Sequence, residues 1–219
     1  MKKNHGFTLI ELLIAMAVGL VVLGAVYSVF IVQNKELNKQ EQIAVMQQNA
    51  RMAMEMMTKE IMMAGYGAST LTRCSGTTTA AATTPPCLGI LNAANILQFN
   101  MDITNTTGTS LLPDGLTDGP NETITYGLYT STAGGVSVQC LGRKSSVNSN
   151  YQPVVENIQS LAFTYLTAAG ASTTDLSLIR IIKITIIAQT ANVDPDLGTV
   201  RTYPLTTNVT PRNLGLTGY

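Results

Sequence analysis

The chain has 219 residues, carries 13 basic and 13 acidic side chains for a formal net charge of +0, and is only 12% charged, against roughly 25% in an ordinary globular protein. Its one histidine, His5, sits in the basic start that precedes the first apolar run, so the remainder offers no Ser-His-Asp triad, no Cys-His dyad and no imidazole metal ligand. Most hydrolytic classes are thereby disfavoured, and the neutral balance removes the basic surface of an ordinary nucleic-acid binder. Of 30 threonines, 16 lie between Thr70 and Thr132, a composition that suits an uncharged, β-rich extracellular surface. The length suits one compact domain plus an appendage.

Lys2 and Lys3 come first, and Leu12 to Val32 is a run of 21 residues without a charge, enough for a helix to cross a hydrocarbon core of about 30 Å. A cleaved signal peptide needs an apolar centre of only about 7–15 residues followed by a small-residue site. Here Gln33-Asn34-Lys35-Glu36-Leu37 follows instead. The expectation is a retained membrane helix with its N-terminus cytoplasmic, by the positive-inside rule. Glu11 breaks the pattern, because a carboxylate in hydrocarbon costs about 2.5–3.5 kcal/mol on insertion scales. Either it snorkels to the interface or a positive partner meets it on assembly.

Lys2-Lys3-Asn4-His5-Gly6, followed by Phe7-Thr8-Leu9-Ile10-Glu11-Leu12-Leu13-Ile14-Ala15, resembles the leader of type IV prepilins. The resemblance implies that a prepilin peptidase cuts between Gly6 and Phe7 and that Phe7 is N-methylated. It also implies that Glu11 pairs with the N-terminal amine of a neighbouring subunit, as a register and recruitment device. Opposite charges near 4 Å attract far more strongly in an apolar bundle than in water, and either one left unpaired there is destabilising.

No proline occurs before Pro85, and Gln33 to Ala64 is rich in Gln, Glu, Lys, Ala and Met, which are good helix formers. One helix from Phe7 to about Ala64 is expected, about 87 Å long at ~1.5 Å per residue. Gly19 and Gly24 are its weak points, and close helix packing is their expected role. Ile43, Met46, Ala50, Ala53, Met57, Ile61 and Ala64 form one apolar stripe at helical period, the face that packs on the chain's own domain. Met52, Met56 and Met63 lie off it; they either widen the core face or meet a partner helix. Gly65-Tyr66-Gly67 is the expected stop, with glycine as a left-handed cap.

Residues 68–120 read as loop-rich, with Thr77-Thr78-Thr79 and Thr83-Thr84-Pro85-Pro86 lacking any usable period. Three cysteines allow three single pairings. On an extracytoplasmic domain Cys74–Cys87 is favoured, with Cys140 as the alternative partner; no zinc site is expected. Strand patterns follow at Thr123–Leu128, Val136–Cys140 and Leu161–Tyr165, with a last one at Val200–Leu205. Leu178–Ala188 is apolar on both faces and predicts a central strand covered on both sides. The fold class is therefore α+β: a long N-terminal transmembrane helix continuing onto an antiparallel sheet, as in the type IV pilin fold the leader implies. The expected organisation is a leader 1–6, a hydrophobic helix 7–32, its amphipathic continuation 33–67, and a β-rich periplasmic or extracellular domain 68–219.

Gln48-Asn49-Ala50-Arg51-Met52-Ala53 and Glu60-Ile61-Met62-Met63-Ala64-Gly65-Tyr66-Gly67 are similar to the matching stretches of PilW-type minor pilins, with Ala50 in place of the usual glycine and Met62 in place of the usual arginine. Asn121 to Tyr126, Val155 to Leu161 and Pro211-Arg212-Asn213 also resemble that family. The resemblance implies a minor pilin that helps to initiate or cap a type IV pilus. Its partners would be major and minor pilins, prepilin peptidase, the inner-membrane assembly platform and, before assembly, lipid. It implies no cofactor, no enzyme activity and no nucleic-acid partner. A J-type tip pseudopilin of a type II secretion system, or a tip adhesin or DNA-uptake pilin, shares the leader. Asp114-Gly115-Leu116-Thr117-Asp118-Gly119 with Glu122 departs from calcium-loop spacing and reads as turn chemistry. Asp194-Pro195-Asp196 reads the same way, and Arg143-Lys144 as a solvated turn.

Overall fold

The computed structural model describes residues 7–67, 72–73, 87–92, 95–104, 109, 112–117, 119–132, 135–145 and 150–214, with backbone alone for 72–73 and 87–92. Helix α1 runs from Leu9 to Ile61, and the chain divides into two compact units, Met1–Ala44 and Val45–Tyr219.

In the first unit α1 is a single uninterrupted helix whose apolar side chains, from Leu9 through Val32, are exposed. It is long and apolar enough to cross a membrane. A helix apolar on every side satisfies its backbone internally and leaves only hydrocarbon-compatible surface outside. Beyond the adjoining backbone of the helix itself, Gly19 and Gly24 have no atom of the described residues within 4 Å of where a Cβ would stand, so none of those residues requires glycine at either place.

In the second unit the C-terminal turns of α1 bury Met46, Ala50, Ala53, Met54, Met57 and Ile61. From Met46 onward the expected stripe is therefore the core face, widened by Met54, whereas Ile43 is only half-buried. Past Ile61 the backbone tightens through Ala64 N to Ile61 O (3.0 Å), and Gly65 takes φ +76°, the left-handed conformation predicted for the stop.

Among the described residues nine strands follow: β1 Thr72–Arg73, β2 Cys87–Asn92, β3 Ile96–Asn100, β4 Thr123–Ser131, β5 Val138–Ser145, β6 Gln152–Glu156, β7 Ile158–Leu166, β8 Ile181–Gln189 and β9 Thr202–Val209. They form two sheets rather than the single sheet expected: β1-β2-β3-β4-β5-β6, antiparallel except for β1–β2, and β7-β8-β9, antiparallel throughout. The passage between sheets is Asn157, at φ +61°, a conformation that asparagine tolerates better than most residues. Its carbonyl accepts from Gln189 N at 2.9 Å. Tyr165 Oη also donates across to Ile96 O at 3.5 Å. The sheets share a core with Leu97, Phe99, Ile124, Tyr126 and Leu141 from the first and Ile158, Phe163, Ile182, Ile184 and Ile186 from the second.

Three expectations change. Strands β2 and β3 stand inside the stretch read as loop-rich; β3 buries Leu97 and Phe99 by simple alternation. β8 is central, but only one of its faces is fully covered: Ile182, Ile184, Ile186 and Ala188 are buried, whereas Lys183 is exposed and Ile181 and Ile187 are half-buried. Arg143 and Lys144 belong to β5 and pair in register with Tyr126 and Thr125, so neither is a solvated turn residue.

Candidate functional site

At the start of α1, Thr8 and Glu11 form a capping box. Glu11 Oε2 accepts from Thr8 N at 2.8 Å and from Thr8 Oγ1 at 2.9 Å, and Thr8 Oγ1 accepts in turn from Glu11 N at 3.4 Å. The Thr-x-x-Glu spacing places a hydroxyl and a carboxylate where the first turn of a helix has unsatisfied N–H groups. Both Thr8 donors fall on one carboxylate oxygen. Glu11 is exposed, as is Phe7 at 91%, with its carboxylate turned back onto Thr8 at the start of the helix. Gly6 lies outside the described residues.

A second polar constellation closes the other end of α1. Arg143 Nε stands 3.0 Å from both carboxylate oxygens of Glu60. Tyr126 Oη donates to Glu60 Oε2 at 2.6 Å, and the Arg143 Nη atoms approach Asn121 Oδ1 at 3.4 Å. The ion-paired side chains are only 20% and 24% exposed. Burial first, and then the Glu60 carboxylate, push the Tyr126 hydroxyl above the ordinary phenol range. For Arg143, burial opposes the charge, but Glu60 outweighs it and holds the guanidinium protonated. Around them the segment just after α1 is tied to other parts of the domain: Gly65 N donates to Asn100 O at 2.9 Å, Arg212 N to Met62 O at 3.2 Å, and Asn213 Nδ2 to Met63 O at 3.3 Å. The Glu60–Arg143 pair spans 83 positions of sequence, and no local pattern announces it.

The turn segment expected at 114–122 is organised by two buried carboxylates. Asp102 accepts from Asp114 N at 3.1 Å and Gly115 N at 2.8 Å. Glu122 accepts from Ile103 N, Thr104 N and Thr104 Oγ1 through Oε1, and from Gly119 N through Oε2. These oxygens serve backbone N–H groups, and among the described residues no group of three or more His, Cys, Asp or Glu could hold a metal ion. Asp118 lies outside the described residues. Asp194 ends its own turn, bonded to Arg201 Nε at 2.6 Å and accepting from Asp196 N at 2.9 Å.

Cys140 is buried and makes no disulfide; burial, with Glu156 next, pushes its thiol up. It is not paired with Cys87 in this structure. Cys74 lies outside the described residues, as does the side chain of Cys87.

Residues 1–27 match the family described as "Prokaryotic N-terminal methylation motif". Neither a curated protein nor a solved structure matches the chain. The motif identifies a prepilin-type leader and marks a type IV pilin-like or pseudopilin-like protein that prepilin peptidase processes. The long apolar helix followed by antiparallel sheets fits the pilin fold, and the leader with that helix is consistent with membrane anchoring.

Proposed function

We propose that this chain is a PilW-like minor pilin of a type IV pilus, cut between Gly6 and Phe7, methylated on Phe7 and assembled through its N-terminal helix to help initiate or cap the filament. The observation that carries the reading is the methylation motif over residues 1–27, which leads directly into an apolar helix with Glu11 exposed near its start. The hydrophobic part, 7–32, anchors the chain in the inner membrane before assembly with the domain after residue 67 in the periplasm. Its partners are prepilin peptidase, the assembly platform and other pilins. Glu11 then exchanges its bonds to Thr8 for the amine of an adjacent subunit, which answers the cost of a carboxylate in hydrocarbon. The Cys74–Cys87 bridge belongs to the same reading, with Cys140 left as a buried thiol.

Mass spectrometry of sheared surface filaments tests it through a peptide that begins with methylated Phe7. Processed chain confined to the membrane fraction favours a J-type secretion pseudopilin instead.

A further inference from the structure

The connection between β3 and β4 is 22 residues long, Met101 to Glu122, yet its ends are neighbours, since Asn100 pairs with Thr123. Connections in compact domains are about 4–6 residues at the median, and long ordered ones without strand or helix of their own tend to carry function. Among the described residues this one has neither.

Its turn at Leu112–Leu116 is held from within the domain. Asp102, at 0% exposure, accepts from Asp114 N at 3.1 Å and Gly115 N at 2.8 Å. Asp114 Oδ1 accepts from Leu116 N at 3.0 Å, and Gly115 takes φ +89°. Pro113 fixes its own φ and keeps Leu112 out of the helical region. A carboxylate taken out of water is costly, and here its hydrogen bonds serve the backbone of a turn that stays outside. Leu112 remains 71% and Leu116 49% exposed. Scattered exposed leucines need no explanation; two within one turn anchored by a buried carboxylate do. A backbone ordered in advance lowers the ordering cost of binding.

We propose that the Leu112–Leu116 turn is a recognition loop that seats its two leucines in an apolar pocket, rimmed by Lys or Arg, on a different protein. Charge narrows the partner to that kind. From Met101 to Glu122 the sequence has four acidic residues, Asp102, Asp114, Asp118 and Glu122, and no Lys or Arg. Asp114 is exposed between the two leucines. Such a segment is repelled by nucleic acid and by anionic lipid, whereas basic side chains around a pocket complement it. Among the described residues the exposed basic side chains of this domain, Arg51, Lys59, Lys183, Arg201 and Arg212, are spread over α1, β8 and the two flanks of β9. Lys59 and Arg201 are already paired, so the ring is sought on another protein rather than on a second copy.

The test is a photoreactive benzophenone side chain placed at Leu112, at Leu116 or, as a control, at exposed Thr164, in the full chain in the cells that naturally make it. Positions 112 and 116 are expected to give adducts to one and the same other protein, mapped to apolar residues with Lys or Arg beside them; position 164 is not. With the probe at 112, Leu116→Ala is expected to lower the yield about tenfold, the loss that goes with one leucine no longer filling a pocket. Asp114→Asn keeps an acceptor for Leu116 N, removes the charge and is expected to lower the yield as well. Should Leu116→Ala lose the amide protection of β8, Leu112→Ala with the probe at 116 gives the same reading. Absence of adducts, adducts only to a second copy or to lipid, different proteins at the two positions, or a yield unchanged by the leucine variants overturns the proposal. None of these outcomes depends on removal of residues 1–6, so the loop stands or falls apart from the pilin-like reading.

Discussion

Arg143 on β5 reaches Glu60 on the last turn of α1, Nε standing 3.0 Å from each carboxylate oxygen, and Tyr126 closes the group with a 2.6 Å bond to the same carboxylate. Removing one member leaves a mostly buried charge without its partner. Glu60→Ala and Arg143→Ala are each expected to cost about 2–3 kcal/mol, with a coupling energy of at least ~1 kcal/mol in the double-mutant cycle. Denaturant unfolding of the detergent-solubilised chain measures it; additive costs would mean that the pair carries no energetic weight.

The raised Tyr126 hydroxyl makes stability depend on high pH. A group whose folded pKa lies above its unfolded value, here about 10, contributes stability that is fully present below pH ~10 and is lost as pH rises beyond it. Unfolding followed between pH 9 and 12 is expected to show stability falling with pH. Tyr126→Phe is expected to be less stable at neutral pH, through loss of the bond to Glu60, and to show a shallower decline. An unchanged slope would contradict the assignment.

Gly127 and Gly142 face each other across β4 and β5, and Tyr151 lies over them. A Cβ at Gly127 would stand 2.6 Å from Tyr151 Oη, and one at Gly142 would stand 2.7 Å from Tyr129 Cδ1 and 2.8 Å from Tyr151 Cβ. Each Gly→Ala change is expected to destabilise by about 1–3 kcal/mol through overpacking. Tyr151→Phe removes the Oη atom and is expected to lower the cost of Gly127→Ala but not that of Gly142→Ala. Melting temperatures of the three single and two double variants check this.

Asn213 donates to the carbonyls of Met63 and Ala64, in the turn that follows α1. Asn213→Ala is expected to cost about 0.5–1.5 kcal/mol and to speed amide exchange at Met62–Tyr66 without changing β8. Uniform acceleration across the domain would mean that Asn213 holds something other than the helix end.

Several features were open to reading from the chain and others were not, for physical reasons. The helix was legible because proline is absent before Pro85 and the Met46–Ala64 stripe repeats at 3.6 residues. The Leu97 and Phe99 alternation in β3 was present but lay among threonine- and proline-rich stretches that mask short strands. β8 misled because Ile181 and Ile187 are apolar on the less covered face; β-branched residues favour strands whether or not both sides are buried. Arg143 could not be assigned, since its partner lies on another element. Three asparagines that the sequence singled out outside α1 fall on backbone duties: Asn121 and Asn157 adopt φ +62° and +61°, and Asn213 bonds the turn after α1. Those duties explain asparagine at each place without invoking a binding role.

Residues 1–27, which match the methylation motif, are proposed to direct processing of a filament subunit. Intact-mass and N-terminal peptide analysis of the chain, from cells with active prepilin peptidase and from filaments sheared off them, tests it most directly. A chain that starts at Phe7 and carries one methyl group on its amine is expected in the filament fraction. A chain that starts at Met1 in every fraction would contradict it.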